Sequence, residues 1–189
     1  MRSALIVVDM QNAFVDPAAG LPVEGADRVV AAVNERVVEA ADDGRPVFYT
    51  RDVAPIDLPV GDPDGQTDLY PGLNARGTLV DKGPGKNGGF SGFVLTSTAE
   101  QVAGEAGDGG LSMLAAHLRR ANVEHVTVVG LAADVCVSAT ARDARRLGYH
   151  VTMPLEATAF VHAHADGDEA AIAALTAAGV NITGQRIPG

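Results

Sequence analysis

The chain has 189 residues, 47% apolar and 20% charged, a length and balance that suit one globular domain with a sizeable core. Its 24 acidic against 14 basic residues leave a net charge of −10, which argues against nucleic acid as a partner. The lone cysteine excludes an internal disulfide, the opening apolar run is too short for a signal peptide, and no stretch reaches the ~20 apolar residues that span a bilayer. A soluble cytoplasmic protein is expected.

Residues 4–8 form a continuous apolar run ending on Asp9. A strand apolar on both faces belongs inside a parallel sheet. Over about 25–41, Val29, Val30, Val33, Val37 and Val38 recur at helical spacing, and Asp42-Asp43-Gly44 closes the pattern. Residues 46–50 read as a second strand leading to Arg51-Asp52. Residues 53–77 are rich in Pro, Gly and Asp and show no period. Thr78-Leu79-Val80 reads as a short strand running into Asp81-Lys82, followed by a glycine-dense run over 83–93. Residues 94–110 read as an irregular excursion. A helix at about 111–121 precedes a strand at 125–129. The segment 130–137 then carries Cys136, ahead of a helix at 138–147. A strand at 149–153, a helix at 166–178 and a final strand at 180–183 complete the chain. This alternation predicts an α/β domain over 1–189, a parallel sheet with helices on both faces.

Ligands in such sheets bind beyond the carboxyl ends of strands. Asp9, Lys82 and Cys136 stand there, after the first, third and fourth strands. A thiol where a strand meets a helix start faces unpaired N–H groups and a partial positive charge, which favour the reactive thiolate. Taken singly, Cys136 reads equally as a buried small hydrophobe, Asp9 as a turn cap and Lys82 as a solvated cation. Taken together they form a nucleophilic set. The carboxylate accepts the thiol proton and passes it to a leaving amine, and the ammonium stabilises the thiolate. Backbone N–H groups around Ala132 and Cys136 are placed to hold an oxyanion. These parts specify acyl transfer through a thioester that water releases.

Val8-Asp9-Met10-Gln11-Asn12-Ala13-Phe14 resembles the opening motif of the isochorismatase-like cysteine hydrolases, the family of nicotinamidase, N-carbamoylsarcosine amidase and biuret hydrolase. Asp81-Lys82-Gly83 with Phe90-Ser91-Gly92-Phe93 resembles its lysine motif. Gly130-Leu131-Ala132-Ala133-Asp134-Val135-Cys136-Val137, with Ala139-Thr140-Ala141 and Asp143-Ala144, resembles its nucleophile motif. The resemblance runs over about residues 3–182. It implies a six-stranded parallel sheet in a three-layer sandwich, with Asp9 as general base, Lys82 as thiolate-stabilising cation and Cys136 as nucleophile. It also implies a cis peptide between Leu131 and Ala132, which aims the Ala132 N–H into an oxyanion hole beside that of Cys136. The expected substrate is a small amide, imide or ureido compound. The family's habit of forming dimers or tetramers implies a homo-oligomer, with neither nucleic acid nor membrane as a partner.

The resemblance breaks at the metal. Nicotinamidases hold one with an Asp and several His; here those places read Asp52-Val53-Ala54, Leu58 and Tyr70-Pro71-Gly72-Leu73. Only Asp52 survives, and one carboxylate does not hold a metal that wants three or more protein ligands, so no metal and no cofactor are expected. Ala133 stands where many relatives carry Thr. Phe14 and Tyr70 are candidate pocket walls, and Leu131 and Ala133 complete the candidate substrate-binding set. Phe90 and Phe93 are expected to pin the glycine loop, and Arg51 and Lys86 are candidate contacts for an anionic group. His162 and His164 invite a metal reading, but no acidic or Cys partner with fixed spacing accompanies them, so they read as loop residues with Asp166 as the N-cap of the last helix, or as substrate contacts at a strand's carboxyl end. Three other functions compete: a nicotinamidase proper with an atypical or absent metal site, a vinyl-ether hydrolase, and a silent oligomeric binding subunit. The second acts in this family through the Asp and lacks the Cys, and the intact Asp, Lys and Cys set argues against the third.

Overall fold

The computed structural model describes residues 1–95 and 110–186. Strand β1 (Ser3–Val8) is followed by the short helix α1 (Asn12–Val15) and the long helix α2 (Ala26–Asp42). Strands β2 (Val47–Asp52) and β3 (Thr78–Lys82) come next, then a two-stranded antiparallel ribbon of β4 (Val94–Leu95) and β5 (Gly110–Leu111). Helix α3 (Leu114–Arg120), strand β6 (His125–Leu131), helix α4 (Ser138–Arg146) and strand β7 (His150–Pro154) continue the alternation. The two-residue strand β8 (Thr158–Ala159), helix α5 (Asp168–Ala177) and strand β9 (Asn181–Thr183) end it. The expected irregular excursion lies mostly outside the described residues.

Six strands lie side by side in the order β3-β2-β1-β6-β7-β9, all parallel, and β8 pairs with the end of β6. Alternation along β1 explains the layers. Ala4, Ile6 and Val8 enter one core with Val126 and Val128 of β6 and residues of α3, α4 and α5; Leu5 and Val7 enter the other with Val129 and Leu131 of β6 and the apolar stripe of α2. Because both faces of β1 are covered, its run over 4–8 is apolar throughout, whereas β6 alternates at its start, where His125 and Thr127 are half-buried, and is buried over 128–131.

The strand order reverses between β1 and β6. Connections leave in opposite directions there, so a crevice opens at the carboxyl ends of the two strands. Gly130 allows the close approach that this requires. Its φ is +108°, and a Cβ on it would collide with the Val8 carbonyl of β1. The last helix differs from expectation: its N-cap is Gly167 and it starts at Asp168, so Asp166 belongs to the preceding turn, where its N–H is taken up by His164 Nδ1. Among the described residues no helix is long and apolar enough to cross a membrane.

Candidate active site

Asp9 is the first residue past β1. Its backbone enters the left-handed region at φ +50°, which Asp tolerates better than most side chains. Its N–H donates to the Thr50 carbonyl at 3.2 Å and to the Thr50 hydroxyl at 3.3 Å. The same hydroxyl donates to Asp9 Oδ1 at 2.8 Å, so the end of β2 fixes both the backbone and the carboxylate.

Lys82 is the last residue of β3 and shares an inward face with Val80, two positions earlier. Its Nζ lies 2.8 Å from Asp9 Oδ2 and 3.9 Å from Asp52 Oδ2. It donates to Cys136 Sγ at 3.3 Å and to the carbonyls of Phe90 and Gly89 at 2.8 and 3.4 Å. The glycine-dense loop, entered through a cis Gly83–Pro84 peptide, brings those carbonyls onto the ammonium. Asp9 and Lys82 are both completely buried.

Cys136 sits in a π-helical turn, Ala133–Val137, between β6 and α4, rather than in the first turn of α4 itself. Its carbonyl accepts the Thr140 hydroxyl at 2.7 Å, and the Thr140 oxygen accepts the Gly92 N–H at 2.9 Å. Thr140 therefore ties the cysteine turn to the glycine loop. The Leu131–Ala132 peptide is cis. Asp134, within the same turn, accepts the N–H groups of Val161 and Ala163 at 3.0 and 2.6 Å and draws the segment after β8 over the site.

Burial sets the protonation states. It pushes the Asp9 carboxyl above its usual range, against the Lys82 ammonium and the Thr50 hydroxyl. It also pushes the Cys136 thiol up, helped by the Asp9 charge and opposed by Lys82. Lys82 is penalised by burial, but Asp9, Cys136 and Asp52 outweigh that and raise it above its ordinary value. Burial thus opposes charge on both Asp9 and Cys136, while the surrounding acidic groups favour the Lys82 ammonium. Lys82 favours the thiolate, as expected of a nearby cation, but loss of water around the sulfur is the larger effect and carries the thiol upward.

A cavity of about 500 Å³ opens at Cys136. Phe14, Leu131, Ala132 and Cys136 line it, as does Phe90, which was expected only to anchor its loop; Phe93 does anchor it, buried in the core. Tyr70 and Ala133 do not line it. Tyr70 packs half-buried against the α2-side core, and Ala133 is wholly buried on the other side of the sheet. Arg51 is also elsewhere, paired with Asp81 at 2.7 Å. Thr50, Gln11, Thr140 and Asp134 were missed. None follows from a search for nucleophiles and their acid–base partners, because each acts by holding a backbone or a carboxylate across a long sequence separation.

Asp52 tests the metal question. Its Oδ1 accepts the Ala54 N–H at 3.0 Å and its Oδ2 the Gly85 N–H at 2.9 Å, so the carboxylate organises two loops. Among the described residues no three His, Cys, Asp or Glu side chains converge as a metal set, and these donors do not fit the nicotinamidase metal. His162 Nδ1 pairs with Asp168 at 2.9 Å, and neither His162 nor His164 lines the cavity.

The sequence profile of the Isochorismatase domain matches residues 3–106 and 111–186. Over 177 residues the chain is 32% identical to the nicotinamidase/pyrazinamidase of Mycobacterium tuberculosis, a match covering 85% of this chain and 88% of the relative. It is 30% identical over 172 residues to the ureidoacrylate amidohydrolase RutB of Variovorax paradoxus, covering 82% and 68%. The crystal structure of N-carbamoylsarcosine amidase from Thermoplasma acidophilum superposes with a TM-score of 0.72 at 25% identity, covering 100% of both chains.

Proposed function

We propose a chemistry for this protein on the premise that the chain belongs to the isochorismatase family and stands among its hydrolases of non-peptide C–N bonds. It is a cysteine amidohydrolase that cleaves a small amide, imide or ureido compound through a thioester. The observation that carries this reading is the contact of one buried ammonium with both Asp9 and Cys136 Sγ, at 2.8 and 3.3 Å, at the wall of a cavity.

Cys136 Sγ attacks the substrate carbonyl as its proton passes to Asp9, whose burial raises its affinity for a proton, as a general base requires. Lys82 stabilises the sulfur as charge develops on it. The N–H groups of Ala132 and Cys136 take the oxyanion. Asp9 then protonates the departing nitrogen, and a water activated by Asp9 cleaves the thioester. No step is routed through a metal.

Cys136→Ala is expected to fold normally and to lose ammonia or amine release by at least about 10³-fold. The wild type should show a substrate-sized acyl adduct on Cys136 by mass spectrometry, and chelator should leave its rate unchanged. An active Cys136→Ala protein overturns the thioester route.

A further inference from the structure

The two sides of the Cys136 thiol differ in kind. Toward Asp9 and Lys82 the site is closed, since both residues are completely buried. A leaving group that takes its proton from Asp9 must fit there, and ammonia is the smallest nitrogen leaving group. On the other side lies the cavity of about 500 Å³, walled by Phe14, Leu21, Pro22, Phe90, Val135 and Val161. Its size lies within the roughly 300–1,000 Å³ of pockets that hold ligands much larger than urea or formamide.

Charge narrows the occupant further. Among the described residues, two ionisable side chains besides the cysteine border the cavity, Asp52 and Lys86. Asp52 is held by two backbone N–H groups and lies 3.9 Å from the buried Lys82 ammonium, and its carboxylate gives an anion no partner. The Lys86 ammonium is held by the Asp57 carboxylate at 2.6 Å and the Ile56 carbonyl at 3.3 Å. No arginine lines the cavity among the described residues, and residues 96–109 and 187–189 contain no Lys or Arg. A substrate carboxylate entering this space would lose its water and meet only a lysine already paired with Asp57, which is unfavourable. A pyridine nitrogen likewise meets no free side-chain donor among the described residues of these walls.

We propose that the enzyme hydrolyses primary carboxamides whose acyl group is uncharged and apolar, of aryl or branched-alkyl size. The proposal rests on the thioester reading above. The new C–S bond forms as the C–N bond breaks, and the thiol proton travels through Asp9 to the nitrogen, which leaves as ammonia. Water then supplies the new C–O bond as C–S breaks, a proton returns to sulfur, and the carboxylic acid departs. The product ionises, and the walls that refuse a substrate carboxylate then favour its release.

The test has two arms. In the first, benzamide, cyclohexanecarboxamide, nicotinamide, succinamic acid and ureidoacetic acid are titrated into the Cys136→Ala protein by calorimetry. Benzamide and cyclohexanecarboxamide should bind at least about a hundredfold more tightly than either acid, and more tightly than nicotinamide. In the second, ammonia release by the wild type is measured on the same compounds, with the same ranking expected in kcat/KM. Equal or better binding of the acids overturns the proposal. Apolar amides that bind as expected to Cys136→Ala but release no ammonia from the wild type support the selectivity and overturn the thioester reading. Asp57→Asn frees the exposed Lys86 and should raise kcat/KM for succinamic acid several-fold at low salt while leaving benzamide unchanged; a fall for succinamic acid counts against the proposal.

Discussion

At the residue scale, Asp9 and Cys136 titrate above their ordinary ranges for one dominant reason, the removal of water around them. This gives two measurable signatures. Alkylation of Cys136 by iodoacetamide should climb about tenfold per pH unit through pH 9, beyond the ~8.5 at which an ordinary thiol begins to level off. A plateau below about pH 8 contradicts a raised thiol. Thr50 supplies the second. Its hydroxyl donates to the charged Asp9 carboxylate at 2.8 Å, stabilises that form and so lowers the proton affinity. In Thr50→Val this stabilisation is gone, the Asp9 pKa rises further, and the acid limb of the kcat/KM profile moves to higher pH by up to about one unit. A limb that stays in place or moves down in pH removes Thr50 from the site's electrostatics.

At the element scale, the catalytic constellation depends on clamps between segments that the sheet alone does not fasten. Gln11, one residue before α1, is completely buried. Its Nε2 donates to the carbonyls of Asp52 and Thr67 at 2.9 and 3.0 Å, and its Oε1 accepts the Asp52 N–H at 2.8 Å. One amide thus closes the end of β2 onto the loop that follows it. Gln11→Leu keeps the volume but strands these backbone groups out of water, at a cost of about 2–4 kcal/mol in urea denaturation. A loss below about 0.5 kcal/mol shows that the loops satisfy themselves without it. The cysteine turn is clamped in the same fashion by Thr140, which reaches Gly92 from α4. The sequence shows β6 and α4 clearly, by their apolar run and helical spacing, but not the π-helical turn between them. That turn follows from where the β6 end and the glycine loop meet, not from the propensity of Ala133–Val137.

At the scale of the whole molecule, the net charge of −10 surrounds a cavity whose own lysine is already paired. Carboxylated amides are therefore repelled on approach. Their kcat/KM should rise as salt is raised toward 0.1 M, where the screening length is about 10 Å, while that of an uncharged amide stays flat. A kcat/KM for the acids that falls with salt reveals an attracting cation at the entrance. The sequence by itself determined the alternation of strands and helices and the placement of Asp9, Lys82 and Cys136 at strand ends. These are matters of residue type and local period, and both are written along the chain. Tertiary structure alone decided that Tyr70 and Ala133 stand away from the cavity, that Asp52 holds backbone, that the cavity is lined mostly by apolar side chains and that burial pushes the thiol up. Those outcomes depend on desolvation and on contacts such as Lys82 with Cys136, which lie 54 residues apart and meet only when β3 and β6 take their places in one sheet.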